Sequence, residues 1–166
     1  MMEQISDAAE HNKRMARVIE ERDKVRGKEM QTKMNDLLAA VVAFKEGDRE
    51  LHRAFLKVPT QRQDPEYHQC IADPIDLIKL RAAVEARELD SDSALEKRLV
   101  KMFSNARQFF GEESAEGRDA DALEWAVHTQ CGTAVPRALK KRWASLEVNC
   151  VFKMMNFALK MLNLPF

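Results

Sequence analysis

Apolar residues recur every three or four positions along most of this chain, which is the spacing of amphipathic helices. The most extensive apolar face is predicted to be buried, and it consists of Leu95, Leu99, Met102 or Phe103, Ala106, Phe109 and Phe110. We expect an all-α protein. Its clearest helices are predicted to begin near the following residues: Met34, Asp76, Ser93, Ser114 and Pro136.

Polar side chains and glycines indicate where these helices begin and end. The carboxylate of Asp76 can cap a helix by accepting from its first backbone N–H groups. Ser93 and Glu96 have the spacing of a capping box, in which hydroxyl and carboxylate each accept from an orphan N–H. Gly47 and Gly132 are the expected ends of the helices that precede them.

The connection between residues 55 and 76 lacks a clear helical pattern and contains three prolines. A connection of this length inside a compact domain is uncommon and usually functional. It also carries apolar residues that a merely solvated loop does not need: Phe55, Val58, Tyr67, Ile71 and Ile75. We therefore expect it to pack against the helices and to form one wall of a site.

Both ends of the chain read as additional helices. Residues 1–33 hold eight basic and seven acidic side chains around a weak apolar stripe, so a solvated, salt-bridged helix is favoured over a docking helix. Residues 133–166 carry a broader stripe, and packing against the rest of the chain is favoured over a surface for another subunit. That stripe consists of Leu139, Trp143, Leu146, Cys150, Met154, Phe157 and Met161.

Composition excludes several classes of protein. The 27 Lys and Arg residues balance 27 Asp and Glu residues, which argues against a mainly electrostatic nucleic-acid binder. Lys153 and Lys160 interrupt the most apolar stretch, so no membrane association is expected. Three widely spaced cysteines fit reduced thiols, and we expect a soluble protein inside a cell.

Several motifs of this chain, taken in order, resemble those of a bromodomain. They cover residues from about 34 to about 131 and occur at the spacing of that family. The motifs are Phe55, Lys57-Val58-Pro59, Pro65-Glu66-Tyr67, Asp73-Pro74-Ile75-Asp76-Leu77 and Met102-Phe103-Ser104-Asn105-Ala106. The Lys-x-Pro and Pro-x-Tyr elements are more similar to the polybromo kind than to the kind with a Trp-Pro-Phe shelf.

The resemblance implies a left-handed four-helix bundle over residues 34–132, with extra helices in residues 1–33 and 133–166. Two loops of such a bundle, called ZA and BC, form an apolar cleft that reads acetylated lysine in protein tails. By this resemblance Phe55 is the shelf aromatic, Val58 a wall, and Tyr67 the holder of an ordered water. Histone tails and other subunits of a chromatin complex are the implied partners, and the nucleus is the implied location.

The chain departs from the family at the main hydrogen-bond donor. In bromodomains an asparagine at the end of the second bundle helix donates to the acetyl carbonyl, and the matching position here is Phe110, which has no donor. Asn105 matches a different, structural asparagine of the family. The gatekeeper position before the last bundle helix falls near Gly117. The resemblance thus leaves two alternatives: a reader with weakened or altered acyl-lysine recognition, and a bundle that serves only protein contacts.

Acidic residues cluster beside the implied cleft. Residues 111–124 hold six acidic side chains and one basic one, and Glu112, Glu113 and Glu116 are the expected rim. Such a rim would attract a basic tail. A solvated helix start, where acidic residues are favoured by the helix dipole, explains the cluster equally well.

No pattern in the sequence indicates catalysis or a metal site. The four histidines are scattered, and His128 with Cys131 supplies at most two of the four ligands that a structural zinc needs. The chain has no glycine-rich phosphate loop, no Gly-x-Ser-x-Gly elbow and no His-Glu-x-x-His. We therefore expect no enzyme activity, no cofactor and no metal.

Overall fold

The computed structural model describes residues 2–145, with side chains from residue 10 to residue 144. Within these residues the chain is built from six α-helices, one 3-10 helix and one short β-hairpin. In chain order they are α1 (Met2–Ala43), β1 (Lys45–Glu46), β2 (Arg49–Glu50), the 3-10 helix η1 (Leu51–Phe55), α2 (Pro65–Cys70), α3 (Leu77–Glu85), α4 (Asp92–Phe110), α5 (Ala115–Cys131) and α6 (Arg137–Ser145).

The first helix is longer than the sequence pattern predicts. α1 continues without interruption through residues 33 and 34, so the helix start expected near Met34 is wrong. Good helix formers occupy most positions before it, and nothing there forces the backbone out of the helix. What changes near this point is burial: the residues from 10 to 29 are exposed except Gly27, whereas Met34 is buried.

Four helices enclose the core: the last turns of α1 together with α3, α4 and α5. α5 packs against α4 and α1, and α3 packs against α1. The predicted apolar face of α4 is confirmed from Leu95 to Ala106, which are almost completely buried, but not at its end, where Phe109 is half-buried and Phe110 is 45% exposed. The largest side chains at the centre are Met34, Leu95, Leu99, Phe103 and Leu123. The all-α bundle expected from the sequence is thus present.

Several helix ends agree with the sequence and two do not. Asp76 caps α3, Ser114 caps α5, and Gly132 ends α5 in the left-handed conformation. The cap of α4 is Ser91, whose hydroxyl accepts from the N–H of Ala94, so the predicted capping box at Ser93 is wrong. Two serines with similar surroundings compete there, and the structure uses the earlier one.

Gly47 does not end α1, which stops at Ala43. It lies instead in the turn between β1 and β2, which pair antiparallel with Lys45 opposite Glu50. Its φ of 64° lies in the left-handed region, which explains a glycine at this position. The turn signal was correct, but it belongs to a hairpin that the sequence analysis did not predict.

The described part of the C-terminal extension packs on the bundle. On α6, Leu139 and Trp143 are buried, and the Trp143 ring lies 5.4 Å from that of Trp125 on α5. Packing in cis is thus confirmed for these two residues. The other members of the predicted stripe lie outside the described residues: Leu146, Cys150, Met154, Phe157 and Met161. Between residues 2 and 145, no helix combines the length and apolarity needed to span a membrane.

Candidate functional site

A long loop (residues 44–76) connects α1 to α3 and forms one side of a cleft. Its first anchor is η1, which buries Leu51, His52 and Phe55. The Phe55 ring contacts the ring of Phe103 on α4 edge to face, with centroids 5.5 Å apart. Such an aromatic contact adds to the free energy gained by burial. The shelf aromatic that the resemblance implies is therefore held rigidly against the bundle core.

Asp76 fixes the next part of the long loop. Its carboxylate accepts from the N–H of Lys79 at 2.7 Å, which caps α3, and from the N–H of Val58 at 3.2 Å. Asp76 is only 3% exposed. One buried carboxylate thus satisfies two backbone donors and holds Val58 beside the start of α3.

The short helix α2 presents Tyr67 to the bundle. Asp64 caps α2, since its carboxylate accepts from the Tyr67 N–H at 2.9 Å, and Pro65 suits the first turn. The Tyr67 ring is buried and meets Phe109 of α4 at 4.9 Å between centroids. His68 Nε2 lies 2.7 Å from the carbonyl oxygen of Pro59, and a carbonyl can only accept, so the ring donates.

Two side chains of α4 tie the end of the long loop to the bundle. The Asn105 carboxamide donates to the carbonyl oxygen of Asp73 at 2.8 Å, and Asn105 is 2% exposed. Gln108 donates to the carbonyl oxygen of Cys70 at 3.0 Å. Asn105 therefore has the structural surroundings that the sequence analysis assigned to it, one turn before Phe110.

The cleft between this loop and α4 has a volume of about 60 Å³, several times the ~10–15 Å³ that one water needs. Four of the residues singled out in the sequence meet here: Phe55, Val58, Tyr67 and Phe110. Of the remaining lining residues, only Ile75 was expected in the wall of the site, although the Asp-Pro pair at the start of α2 is a signal for Asp64. They are Ala54, Lys57, Pro59, Asp64, Ile75, Met102 and Ala106.

Phe110 lines the cleft without filling it. It is 45% exposed, and its ring stands nearly perpendicular to that of Phe109, with centroids 4.9 Å apart. Phe109 in turn contacts Tyr67, so it connects the two aromatic rings of Tyr67 and Phe110, which both line the cleft. An aromatic side chain thus lines the cleft at the position where the resemblance to the family implies a carboxamide.

Gly117 is not brought to the cleft. It lies in the first turn of α5, where its N–H donates to the Ser114 hydroxyl at 2.9 Å. A Cβ at this position would overlap the carbonyl oxygens of Gly111 and Glu112. The glycine therefore allows the short loop (residues 111–114) to approach α5 closely, which corrects its assignment to the pocket.

Only half of the acidic cluster is exposed to solvent. Glu112 and Glu113 are exposed and Glu116 half-exposed, and none of the three lines the cleft. The other three acidic residues are buried and paired with arginines, so the charge excess of the sequence does not form one exposed surface. These pairs are Asp119 with Arg49, Asp121 with Arg107 and Arg142, and Glu124 with Arg107.

Burial raises the pKa of the Tyr67 phenol, and the neighbouring carboxylates of Asp76 and Asp64 raise it further. The hydroxyl therefore stays protonated at neutral pH and can donate a hydrogen bond. Among the described residues no cluster of three or more His, Cys, Asp or Glu has the geometry for a metal ion. His128 contacts Thr133 and Glu96.

The arrangement of helices and loops is that of a known family. A family model for the bromodomain matches residues 37–122, more than half of the 166-residue chain. The chain belongs to the bromodomain family. In the terms of that family, residues 44–76 are the ZA loop and residues 111–114 the BC loop.

Two curated relatives match part of this chain. The ATP-dependent helicase brm of Drosophila melanogaster is 27% identical over 97 residues, which cover 58% of this chain and 6% of the helicase. The chromatin structure-remodeling complex subunit snf21 of Schizosaccharomyces pombe is 30% identical over 82 residues, covering 49% of this chain and 7% of that subunit. The chain thus spans less than a tenth of the length of either relative.

A solved bromodomain has the same fold. The structure of the bromodomain from human BAZ1A superposes with a TM-score of 0.54 at 24% sequence identity. The match covers 60% of this chain and 89% of that one. The likeness supports the bundle fold. The chemistry of the cleft depends on this chain's own side chains and does not follow from the fold.

Proposed function

We propose that this bromodomain is a chromatin-associated reader of modified lysine in histone tails or similar peptides, with weakened or altered recognition of acetyl-lysine. The observation that supports the proposal is the cleft itself, where Phe55, Val58 and Tyr67 meet Phe110. An apolar slot of this kind suits the aliphatic stem of a lysine whose charge has been removed. The proposal is for a binding module rather than an enzyme.

The weakening follows from hydrogen-bond energetics. An acetyl carbonyl that enters the cleft without a donor loses its bond to water and gains no replacement, which costs about 1–3 kcal/mol. That corresponds to roughly a tenfold to hundredfold loss of affinity. The Tyr67 hydroxyl remains as a donor at the floor, directly or through a water, so recognition of acyl-lysine is reduced rather than abolished.

The cellular setting is proposed from the relatives. The names of brm and snf21 describe an ATP-dependent helicase and a subunit of a chromatin-remodeling complex. A nuclear location, and other subunits of a chromatin complex as partners, follow by analogy for this chain. Direct binding to nucleic acid is not part of the proposal, because the formal net charge is zero.

An NMR titration with acetylated histone-tail peptides tests the proposed reading function. We expect shifts of the amide signals around Tyr67 and Phe110 at millimolar peptide, and tighter binding by Phe110→Asn, which supplies the donor. Val25→Ala is the matched control, because Val25 is an exposed apolar residue of α1 outside the cleft. No shift at these positions with any modified peptide would contradict the proposal.

The second candidate is a scaffold that joins a nuclear complex without reading lysine. It is favoured by four apolar residues on the exposed part of α1, each about half exposed: Met15, Val18, Ile19 and Val25. Large apolar side chains grouped on one exposed helix are typical of contact surfaces. This candidate would be supported if the protein binds no modified lysine but still co-purifies with a nuclear complex. Substitution of these four residues by serine should then abolish the co-purification.

A further inference from the structure

The cleft contains more aromatic faces and hydrogen-bond acceptors than donors. Two backbone N–H groups beside it are already used, since Val58 donates to Asp76 and Tyr67 donates to Asp64. Phe110 contributes a ring and no donor. Of the side chains that line the cleft, only the Tyr67 hydroxyl and the exposed Lys57 ammonium can donate, so the cleft offers few donors to a ligand.

The aromatic rings are arranged to present faces at steep angles to one another. Tyr67 meets Phe109 at 70°, and Phe109 meets Phe110 at 81°. A ring face carries partial negative charge and attracts a cation within about 6 Å of its centroid. Phe110 is accessible to a ligand because nearly half of it is exposed.

Carboxylates add negative charge near the same floor. Asp64 lines the cleft and uses one oxygen to cap α2. Asp76 lies buried nearby, and both carboxylates act on the Tyr67 phenol. Lys57 also lines the cleft, but it is exposed, and its long side chain can carry the ammonium group into solvent.

We propose that this cleft prefers a methylated ammonium group, the head of trimethyl-lysine, over an acetylated one. The inference rests on the proposed function, since it assumes that the cleft receives a modified lysine side chain. A trimethylammonium group has no proton to donate and no carbonyl that needs a donor. The absence of the asparagine therefore does not lower its affinity. Its charge is attracted both by the rings of Tyr67 and Phe110 and by the carboxylate of Asp64.

Peptides that differ in a single side chain test this preference in the unmodified protein. One carries trimethyl-lysine, the second its neutral isostere with a tert-butyl head, and the third acetyl-lysine, each titrated by NMR or calorimetry. The isostere has the same shape without the charge. We expect it to bind about twofold to thirtyfold more weakly than trimethyl-lysine, and acetyl-lysine to bind more weakly than trimethyl-lysine.

Asp64→Asn tests the contribution of the carboxylate. Asparagine retains the helix cap, so the variant is expected to fold, to bind trimethyl-lysine severalfold more weakly and to bind the neutral isostere unchanged. Glu66→Gln is the matched control, because Glu66 is an exposed carboxylate of α2 that does not line the cleft. Equal effects of the two substitutions would contradict the inference.

The outcomes separate this inference from the proposed function. If acetyl-lysine binds in the cleft while trimethyl-lysine and its isostere bind equally or not at all, the inference is wrong and the reader function stands. If no modified lysine binds at millimolar concentration, both are wrong. Tighter binding of trimethyl-lysine that depends on Asp64 supports both.

Discussion

Arg142 on α6 forms a two-pronged ion pair with Asp121 on α5. Its Nε lies 2.8 Å from one carboxylate oxygen of Asp121 and its Nη2 lies 2.9 Å from the other. Asp121 is 1% exposed and also accepts from Arg107 at 3.0 Å. Arg142 reaches Glu112 of the BC loop at 3.6 Å as well. Through this one side chain, α6 is attached both to the bundle and to the loop beside the cleft.

The first prediction is that the packing of α6 contributes to the free energy of unfolding. Arg142→Ala should lower the free energy of unfolding by about 1–3 kcal/mol, because it removes charge-assisted hydrogen bonds to a buried carboxylate. Asp121→Ala should lower the free energy of unfolding further, by about 3–5 kcal/mol, since it leaves Arg107 and Arg142 without their shared partner. Urea unfolding followed by circular dichroism measures both.

Lys141→Ala is the control for this prediction, since Lys141 is the exposed neighbour of Arg142 on the same helix. It should change the unfolding free energy by less than about 0.5 kcal/mol. If Arg142→Ala changed the unfolding free energy as little as Lys141→Ala, this ion pair would not stabilise the packing of α6 on the bundle.

The second prediction concerns Asn105 and the ZA loop. Asn105→Ala removes the donor to the Asp73 carbonyl and should lower the unfolding free energy by about 1–3 kcal/mol. Because this bond holds the loop near Tyr67, amide exchange in residues 71–76 should accelerate as well. Ser104→Ala is the matched control, as Ser104 is exposed on the same turn of α4. Unchanged loop exchange in Asn105→Ala would show that other contacts, such as the one from Gln108, suffice.

The sequence predicts the helices of the bundle well because burial there is periodic. The faces containing Leu95, Leu99 and Phe103 can only be buried by a helix, so their pattern determines both element and orientation. The start of α1 is not predictable in the same way. Burial begins near Met34 while the backbone remains helical on both sides of it, so the pattern predicts a helix start where only the buried face starts.

The candidate site was predictable to the extent that its motifs are local. Phe55, Val58 and Tyr67 could be named because each stands in a motif that resembles those of the family, and Phe110 because it lies a fixed distance after the motif that ends at Ala106. The pairing of the acidic cluster was not predictable, because Asp119 meets an arginine 70 positions earlier in the chain. The fold brings Arg49 to it through the packing of α5 against η1, which directly follows Arg49 in the chain, and such long-range pairs leave no signal in a single sequence.

The third prediction uses Cys131, a half-buried thiol at the end of α5. Burial is the main reason that its pKa is raised to about 11, with Glu96 and Asp92 adding to the effect. Since the thiolate is the reactive form, a thiol reagent near neutral pH should modify Cys131 far more slowly than the exposed Cys70. Peptide mapping by mass spectrometry measures the two rates separately. Unfolding in urea should make them similar, and comparable rates in the folded protein would contradict the burial of Cys131.

The fourth prediction uses Tyr67, which is the only tyrosine in the chain, so the absorbance of its phenolate reports on the cleft alone. Burial raises its pKa above the usual 10.0, and the carboxylates of Asp76 and Asp64 act in the same direction. The alkaline titration should therefore have its midpoint above 10 in the folded protein and near 10 in urea.

The sign of the accompanying stability change follows from this direction. An acid whose pKa is raised by folding contributes stability that is fully present below its unfolded pKa, near 10, and that is lost as the pH rises through the higher folded pKa. The difference in unfolding free energy between the wild type and Tyr67→Phe should decrease over that interval. Asp64→Asn should move the midpoint downward but not to 10, because burial is the larger cause. A folded-state midpoint at or below 10 would mean that the Tyr67 hydroxyl is open to water, and the cleft floor described above would then be wrong.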